Sequence, residues 1–140
     1  MINRRKFFSQ TALSVAGIAL SLEAFPSILQ KKEKLGVALV GLGYYSTDLL
    51  APALQLTEKC YLAGIVTGTP SKAELWKQQY KIPDKNIYNY ENFDSIANNP
   101  DIDVIYIVLP TSMHAEYTIR AAKAGKHVWG KKPMAVTEGE

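Results

Sequence analysis

The feature that most narrows what this chain can become is a six-residue apolar run, Leu35–Val40 (LGVALV), followed at once by Gly41-Leu42-Gly43-Tyr44-Tyr45-Ser46. An apolar run without polar alternation is buried on both faces, which suits a parallel strand covered by helices on each side. The glycines behind it permit a tight turn. The apolar residues that follow, at 49, 50, 53, 54 and 56, predict a helix over 46–59. Pro52 falls in the second turn of that helix, where its missing N–H and its ring should shift or kink the start.

The pattern then recurs in kind. Residues 60–66 predict a second strand and 70–80 a second helix, with Pro70 near its first position. A short third strand is expected over 87–90, a short helix over 92–99, and a fourth strand over 104–109. Thr111 or Ser112 is placed to cap a helix running to Lys123 and stopped by Gly125, and 127–129 is a fifth strand. Strands alternating with helices imply an α/β fold with a doubly wound, mostly parallel sheet of the Rossmann dinucleotide-binding type. Such a sheet normally adds a sixth strand, and none follows 127–129. The domain is expected over 35–140, behind a short polar linker at 28–34.

Residues 1–27 do not fit this pattern. Arg4-Arg5 precede Lys6-Phe7-Phe8 and a weakly apolar stretch from Thr11 to Phe25. That reads as a twin-arginine signal segment, with export to the periplasm as the expectation. No A-x-A site is present, so an uncleaved leader anchoring the chain to the membrane stays open. Most of the net charge of +3 lies in this leader, and no basic patch with interleaved aromatics follows, so nucleic acid is not an expected partner. The single cysteine, Cys60, rules out an intrachain disulfide and a cysteine-rich metal site, and no metal is expected.

The loop itself carries chemistry. Gly41–Ser46 fits G-x-G-x-x-G with serine in the third glycine place. The first glycine allows the turn, the second lets the backbone approach a pyrophosphate, and the third needs only a small side chain for helix and strand to pack. Main-chain N–H groups at the helix start would hold the phosphates. The end of the second strand bears on which nucleotide. It reads Val66-Thr67-Gly68-Thr69-Pro70-Ser71-Lys72, without the carboxylate that accepts from a ribose 2′-hydroxyl. Hydroxyls and an ammonium can instead donate to a 2′-phosphate, which favours NADP over NAD. The alternative is that Lys72 is a solvated lysine of the first helical turn.

With these residues the chain resembles the glucose–fructose oxidoreductase / inositol dehydrogenase (Gfo/Idh/MocA) family, and most closely its glucose–fructose oxidoreductase branch. The likeness covers about 35–137 and rests on GLGYY, TGTPSK, KNIYNYENFD at 85–94, NPDIDVIYIVLPTSMHAE at 99–116 and AGKHVWGKKPMA at 124–135. The resemblance implies that Gly41, Leu42, Gly43, Tyr44, Tyr45 and Ser46 hold the pyrophosphate. It implies Thr67, Gly68 and Lys72 around the 2′-phosphate, and Tyr90 close to the cofactor. Leu109, Pro110, Thr111 and His114 would line the nicotinamide ribose side. Lys132 matches the lysine of the family's Glu-Lys-Pro motif and is the implied catalytic residue. The family usually has Cys-Glu-Lys-Pro where this chain has Gly130-Lys131-Lys132-Pro133, so Lys131 sets a second positive charge beside Lys132.

Family members also have a second α+β domain that supplies the sugar pocket and the oligomer interface, and the 140 residues stop short of it. The leading expectation is the NADP-binding part of a sugar or polyol oxidoreductase that, once completed, transfers hydride between nicotinamide and a hydroxyl-bearing carbon. Full-length relatives are expected to be homo-oligomers. The alternative is a truncated, non-catalytic nucleotide-binding remnant. An NAD-using glycoside hydrolase on the same fold is disfavoured by the missing acid at Thr67.

Overall fold

A computed structural model of the chain describes residues 32–137; the twin-arginine segment and linker residues 28–31 lie outside them. The strands are β1 (Leu35–Val40), β2 (Cys60–Val66), β3 (Ile87–Tyr88), β4 (Val104–Ile107) and β5 (His127–Gly130). They form one sheet in the order β3-β2-β1-β4-β5, and every neighbouring pair is parallel. β1 lies at the centre of the sheet, paired on both sides, and Val37, Ala38, Leu39 and Val40 are all fully buried.

The alternation of side chains along β1 splits the core in two. Val37 and Leu39 join Trp76, Ile82 and Ala51 on one face, while Ala38 and Val40 join Phe93, Ile96, Tyr117 and Ala121 on the other. Three helices follow from that partition. α1 (Ala51–Leu56) and α2 (Pro70–Tyr80) cover the first face, and α3 (His114–Lys123) covers the second. The doubly wound arrangement expected from the sequence is present, with the sheet wholly parallel.

Several elements differ from expectation in detail. The helix expected over 46–59 begins as a π-helical segment, Tyr45–Leu50, and becomes α-helical only at Ala51. The Ala51 N–H donates to Ser46 O, five residues back, immediately before Pro52, which has no N–H to give. β3 stops at Tyr88 because Asn89 takes over the next bonds: its Oδ1 accepts from the N–H groups of Glu91 and Asn92 at 2.9 and 2.8 Å. Neither Thr111 nor Ser112 caps α3. Both lie in a 3-10 turn, Thr111–Met113, that precedes it.

A register irregularity separates the pairs Val37–Leu62 and Ala38–Gly64, leaving Ala63 unmatched in the β1–β2 ladder. The Asn86 Nδ2 donates to the Ala63 carbonyl at 2.8 Å, while Asn86 Oδ1 accepts from Asn99 Nδ2 at 2.7 Å. Asn99 also donates to the Tyr88 hydroxyl at 2.7 Å. Two buried amides thus satisfy a strand edge that the sheet leaves over.

Candidate nucleotide-binding site

The strand order turns back between β1 and β4: β2 and β3 lie outward on one side, β5 on the other. At such a switch point the loops leaving the two strands diverge and open a crevice at their carboxyl ends. The glycine loop leaves β1 into that crevice. Gly41 has φ +91, and a Cβ there would lie 2.6 Å from the Val108 carbonyl oxygen, so this position accepts only glycine without strain. Gly43 is different: a Cβ there would meet nothing within 4 Å, and its backbone lies outside the left-handed region. The protein itself has no packing need for glycine at 43. The clear space above it fits a phosphate group drawn close to the main chain, as a dinucleotide requires.

Ser46 does what the third glycine place asks and adds a bond. It is fully buried, and its Oγ donates to the Gly41 carbonyl at 2.6 Å, fixing the turn from inside. Thr47 Oγ1 donates to Gly43 O at 2.9 Å, and Gly41 N–H to Val66 O at 3.0 Å. The loop is therefore preformed by its own hydrogen bonds. Leu42 is buried beneath it, Tyr44 is 74% exposed, and Tyr45 is half-buried.

The expected 2′-phosphate residues gather at the end of β2. Thr67 is buried and accepts from Thr69 N–H at 3.2 Å; its own N–H donates to Tyr88 O. Gly68 faces the Tyr90 ring, which would stand 3.0 Å from a Cβ at 68. An open cavity of about 260 Å³ is lined by Thr67, Gly68, Pro70, Ala73 and Tyr88, among others. Lys72 is exposed, and its Nζ donates to Leu42 O of the glycine loop at 3.0 Å. The Tyr90 phenol is held above its ordinary value by burial and then by Tyr117.

The other half of the site surrounds the end of β4. Leu109 and Thr111 are half-buried and Pro110 is exposed. His114 is 4% exposed, with Nε2 2.7 Å from Leu109 O and Nδ1 2.6 Å from Pro133 O. The Lys132–Pro133 bond is cis, and Lys132 is exposed. Lys131, one residue earlier, places its Nζ 4.6 Å from the Tyr45 ring centroid. Tyr106 on β4 packs edge-on against Trp129 at 5.9 Å; burial first, then the neighbouring Tyr45 hydroxyl, pushes its phenol upward.

The chain thus assembles three groups along one sheet edge: the glycine loop with Lys72, the Thr67–Gly68–Tyr90 turn, and the Leu109–His114–Pro133 corner. Sequence reading missed the Tyr45–Tyr106–Lys131 contacts, which join residues up to 86 positions apart and leave no local periodicity. Among the described residues no group of three or more His, Cys, Asp or Glu is placed to hold a metal ion.

Comparison with known proteins agrees with this geometry. The family described as "Oxidoreductase family, NAD-binding Rossmann fold" (GFO_IDH_MocA) matches residues 35–140. The crystal structure of aldose-aldose oxidoreductase from Caulobacter crescentus superposes with a TM-score of 0.72 at 49% identity, covering 73% of this chain and 30% of that one. The scyllo-inositol 2-dehydrogenase (NADP(+)) IolW of Bacillus subtilis is 29% identical over 113 residues, 79% of this chain and 30% of IolW. A dTDP-3,4-didehydro-2,6-dideoxy-alpha-D-glucose 3-reductase of Saccharopolyspora spinosa is 27% identical over 112 residues, 80% of this chain and 32% of the reductase. The chain spans about a third of the length of these relatives. Its parallel sheet, its glycine loop and the match over 35–140 establish that the chain belongs to the Gfo/Idh/MocA family of oxidoreductases and carries that family's NAD(P)-binding Rossmann fold.

Proposed function

We propose that this chain is the NADP-binding N-terminal part of a sugar or polyol oxidoreductase of the glucose–fructose oxidoreductase branch, exported by the twin-arginine route. The observation that carries the reading is the preformed glycine loop, open above Gly43 and flanked by Lys72. When bound, NADP supplies the hydride acceptor or donor. The residues of this chain bind it, orient it and handle the proton.

The loop after Gly41, Leu42–Ser46, would present main-chain N–H groups to the pyrophosphate from the start of the helix, while the Gly41 N–H stays on Val66 O. Thr67, Gly68 and Lys72 would surround the 2′-phosphate, and no carboxylate stands between Val66 and Lys72 to repel it. Lys72 already stands on Leu42 O, so its ammonium sits between loop and β2 turn before any ligand arrives. Tyr90 closes this end against Gly68. Leu109, Pro110 and Thr111 form the strand end that would stand beside the nicotinamide ribose, and His114 holds that end through Leu109 O. Lys132 orients the substrate hydroxyl and holds its proton as it leaves carbon-bound oxygen. The similarity to an aldose-aldose oxidoreductase and to an NADP(+)-dependent inositol dehydrogenase supports a polyhydroxylated substrate. A cofactor held through the catalytic cycle suits an exported enzyme with no supply of free NADP.

The direct test is titration of the purified chain with NADPH and NADH, followed by nucleotide fluorescence. The expected result is tighter binding of NADPH, with Lys72→Ala lowering NADPH affinity about tenfold and leaving NADH nearly unchanged. A preference for NADH of tenfold or more overturns the NADP assignment, and no binding of either nucleotide at millimolar concentration overturns the reading as a whole.

A further inference from the structure

The turn that carries Lys132 is gripped on both sides of that residue. On one side, the Lys131 ammonium lies 4.6 Å from the centroid of the Tyr45 ring, on the π-helical segment that leaves the glycine loop. On the other, the Pro133 carbonyl is 2.6 Å from His114 Nδ1, and the same ring reaches Leu109 O through Nε2 at 2.7 Å. A carbonyl oxygen only accepts, so a bond to either one needs a proton on the nitrogen facing it. His114 is almost wholly buried, so its ring cannot swing out to solvent without opening the corner.

We infer that Lys131 and His114 are positioning residues that pin the turn at two points and thereby aim Lys132 over the crevice beside the glycine loop. Lys131 fastens the turn to the segment that binds phosphate; His114 fastens it to the end of β4. Where the family has glutamate, this chain uses a cation on an aromatic face, an attachment that a carboxylate cannot make. The two anchors have different characters. The cation–π contact is half-exposed and asks only for a flat π surface and a positive charge. The histidine bond is buried and asks for a donor at one place. That difference makes them separable by substitution.

The inference rests on the reading of Lys132 as the group that meets the substrate hydroxyl, and its test is independent of turnover. In the uniformly ¹⁵N,¹³C-labelled chain, the Lys131 Hε protons should resonate upfield of the other lysines, shielded by the Tyr45 ring. Tyr45→Phe, which keeps the ring, and Lys131→Arg, which keeps the charge, should preserve the contact. Tyr45→Leu should return the Lys131 protons to the position of the other lysines. Backbone ¹⁵N relaxation at Lys132 should give an order parameter of about 0.85 in the parent chain, falling toward about 0.6 in Tyr45→Leu and Lys131→Gln.

The His114 arm runs in parallel. His114→Asn carries its amide nitrogen at the Nδ1 place and should keep Lys132 ordered, whereas His114→Gln offers a donor only at the Nε2 place and should not. An unshifted Lys131 in the parent chain, or a Lys132 order parameter indifferent to Tyr45→Leu and His114→Gln, overturns the inference. NADPH titration of the same samples judges the functional reading separately: loss of binding with the shielding pattern intact refutes that reading and leaves the two anchors standing.

Discussion

Replacing Gly43 by alanine should leave the fold intact and damage the ligand site. The reason lies in the two glycines of the loop, which are glycine for different causes. At 43 an added methyl meets no atom within 4 Å, and the backbone needs no positive φ. Alanine also narrows the unfolded ensemble, which favours the folded state by about 0.4–1 kcal/mol. For a domain of this size that corresponds to a rise in melting temperature of up to about 4–8 °C. The same methyl occupies the clear space through which the main chain would approach a pyrophosphate. Forfeiting one hydrogen bond to a charged phosphate costs about 1.5–3 kcal/mol, or about a tenfold to a hundredfold loss of affinity. Thermal unfolding monitored by circular dichroism and NADPH titration on the same preparation measure both quantities. A Gly43→Ala chain that binds nucleotide as well as its parent would refute the assignment of this loop as the phosphate cradle. One that melts well below the parent would refute the claim that the fold does not need the glycine.

The remaining predictions concern what holds the site in place. Gly41→Ala should lose at least about 2 kcal/mol, since φ +91 and a Val108 carbonyl 2.6 Å from the new Cβ act together; urea midpoints read this directly. Asn99→Ala should cost about 1–3 kcal/mol by stranding Asn86 Oδ1 and the Tyr88 hydroxyl, measured in the same way. Arg120 grips Asp94 through two nitrogens, at 2.9 and 3.1 Å, and its hydrogen bond holds that carboxyl below the usual carboxylate range. A depressed folded value means that this stabilisation is present above the unfolded value of about 3.9 and is lost as pH falls through the folded one. Asp94→Asn should therefore flatten the acid limb of the stability profile in that window, and an unchanged limb would contradict the pairing.

How much of this could be read from the chain depended on the range of the interactions. β2 and α2 fall where the residues alone predict them, because an apolar run and Pro70 at a helix start are local signals. The absence of a carboxylate between Val66 and Lys72 was equally plain. The length of β3 was not, since Asn89 can extend a strand or close a turn, and it closes one through its own side chain. Thr111 and Ser112 looked like caps, yet the 3-10 turn ahead of α3 moves its first residue to His114. The seat of Lys72 on Leu42 O spans thirty positions, and that of Lys131 on Tyr45 spans more. Pairings at that distance come from the winding of the sheet, and the chain alone gives no sign of them.

The π-helical segment Tyr45–Leu50 lies between the glycine loop and the α-helix that follows it. A π turn holds one residue more than the α turn it replaces, so it acts as a phase shifter set between grip and scaffold. Upstream, the loop keeps the orientation that Ser46 and Gly41 dictate. Downstream, Ala51 and Leu54 are rotated onto the face that holds Trp76 and Ile82. Deleting one residue between 47 and 50 would close the surplus turn into an ordinary α turn and leave Ala51 on its core face, whereas inserting one would swing the rest of the helix by roughly 100° and carry Ala51 out of the core while the glycines stayed put. The surplus turn therefore absorbs one residue between the loop and the helix face, so substitutions at exposed Thr47, Asp48 and Leu49, and a single deletion there, should be tolerated where a single insertion is not.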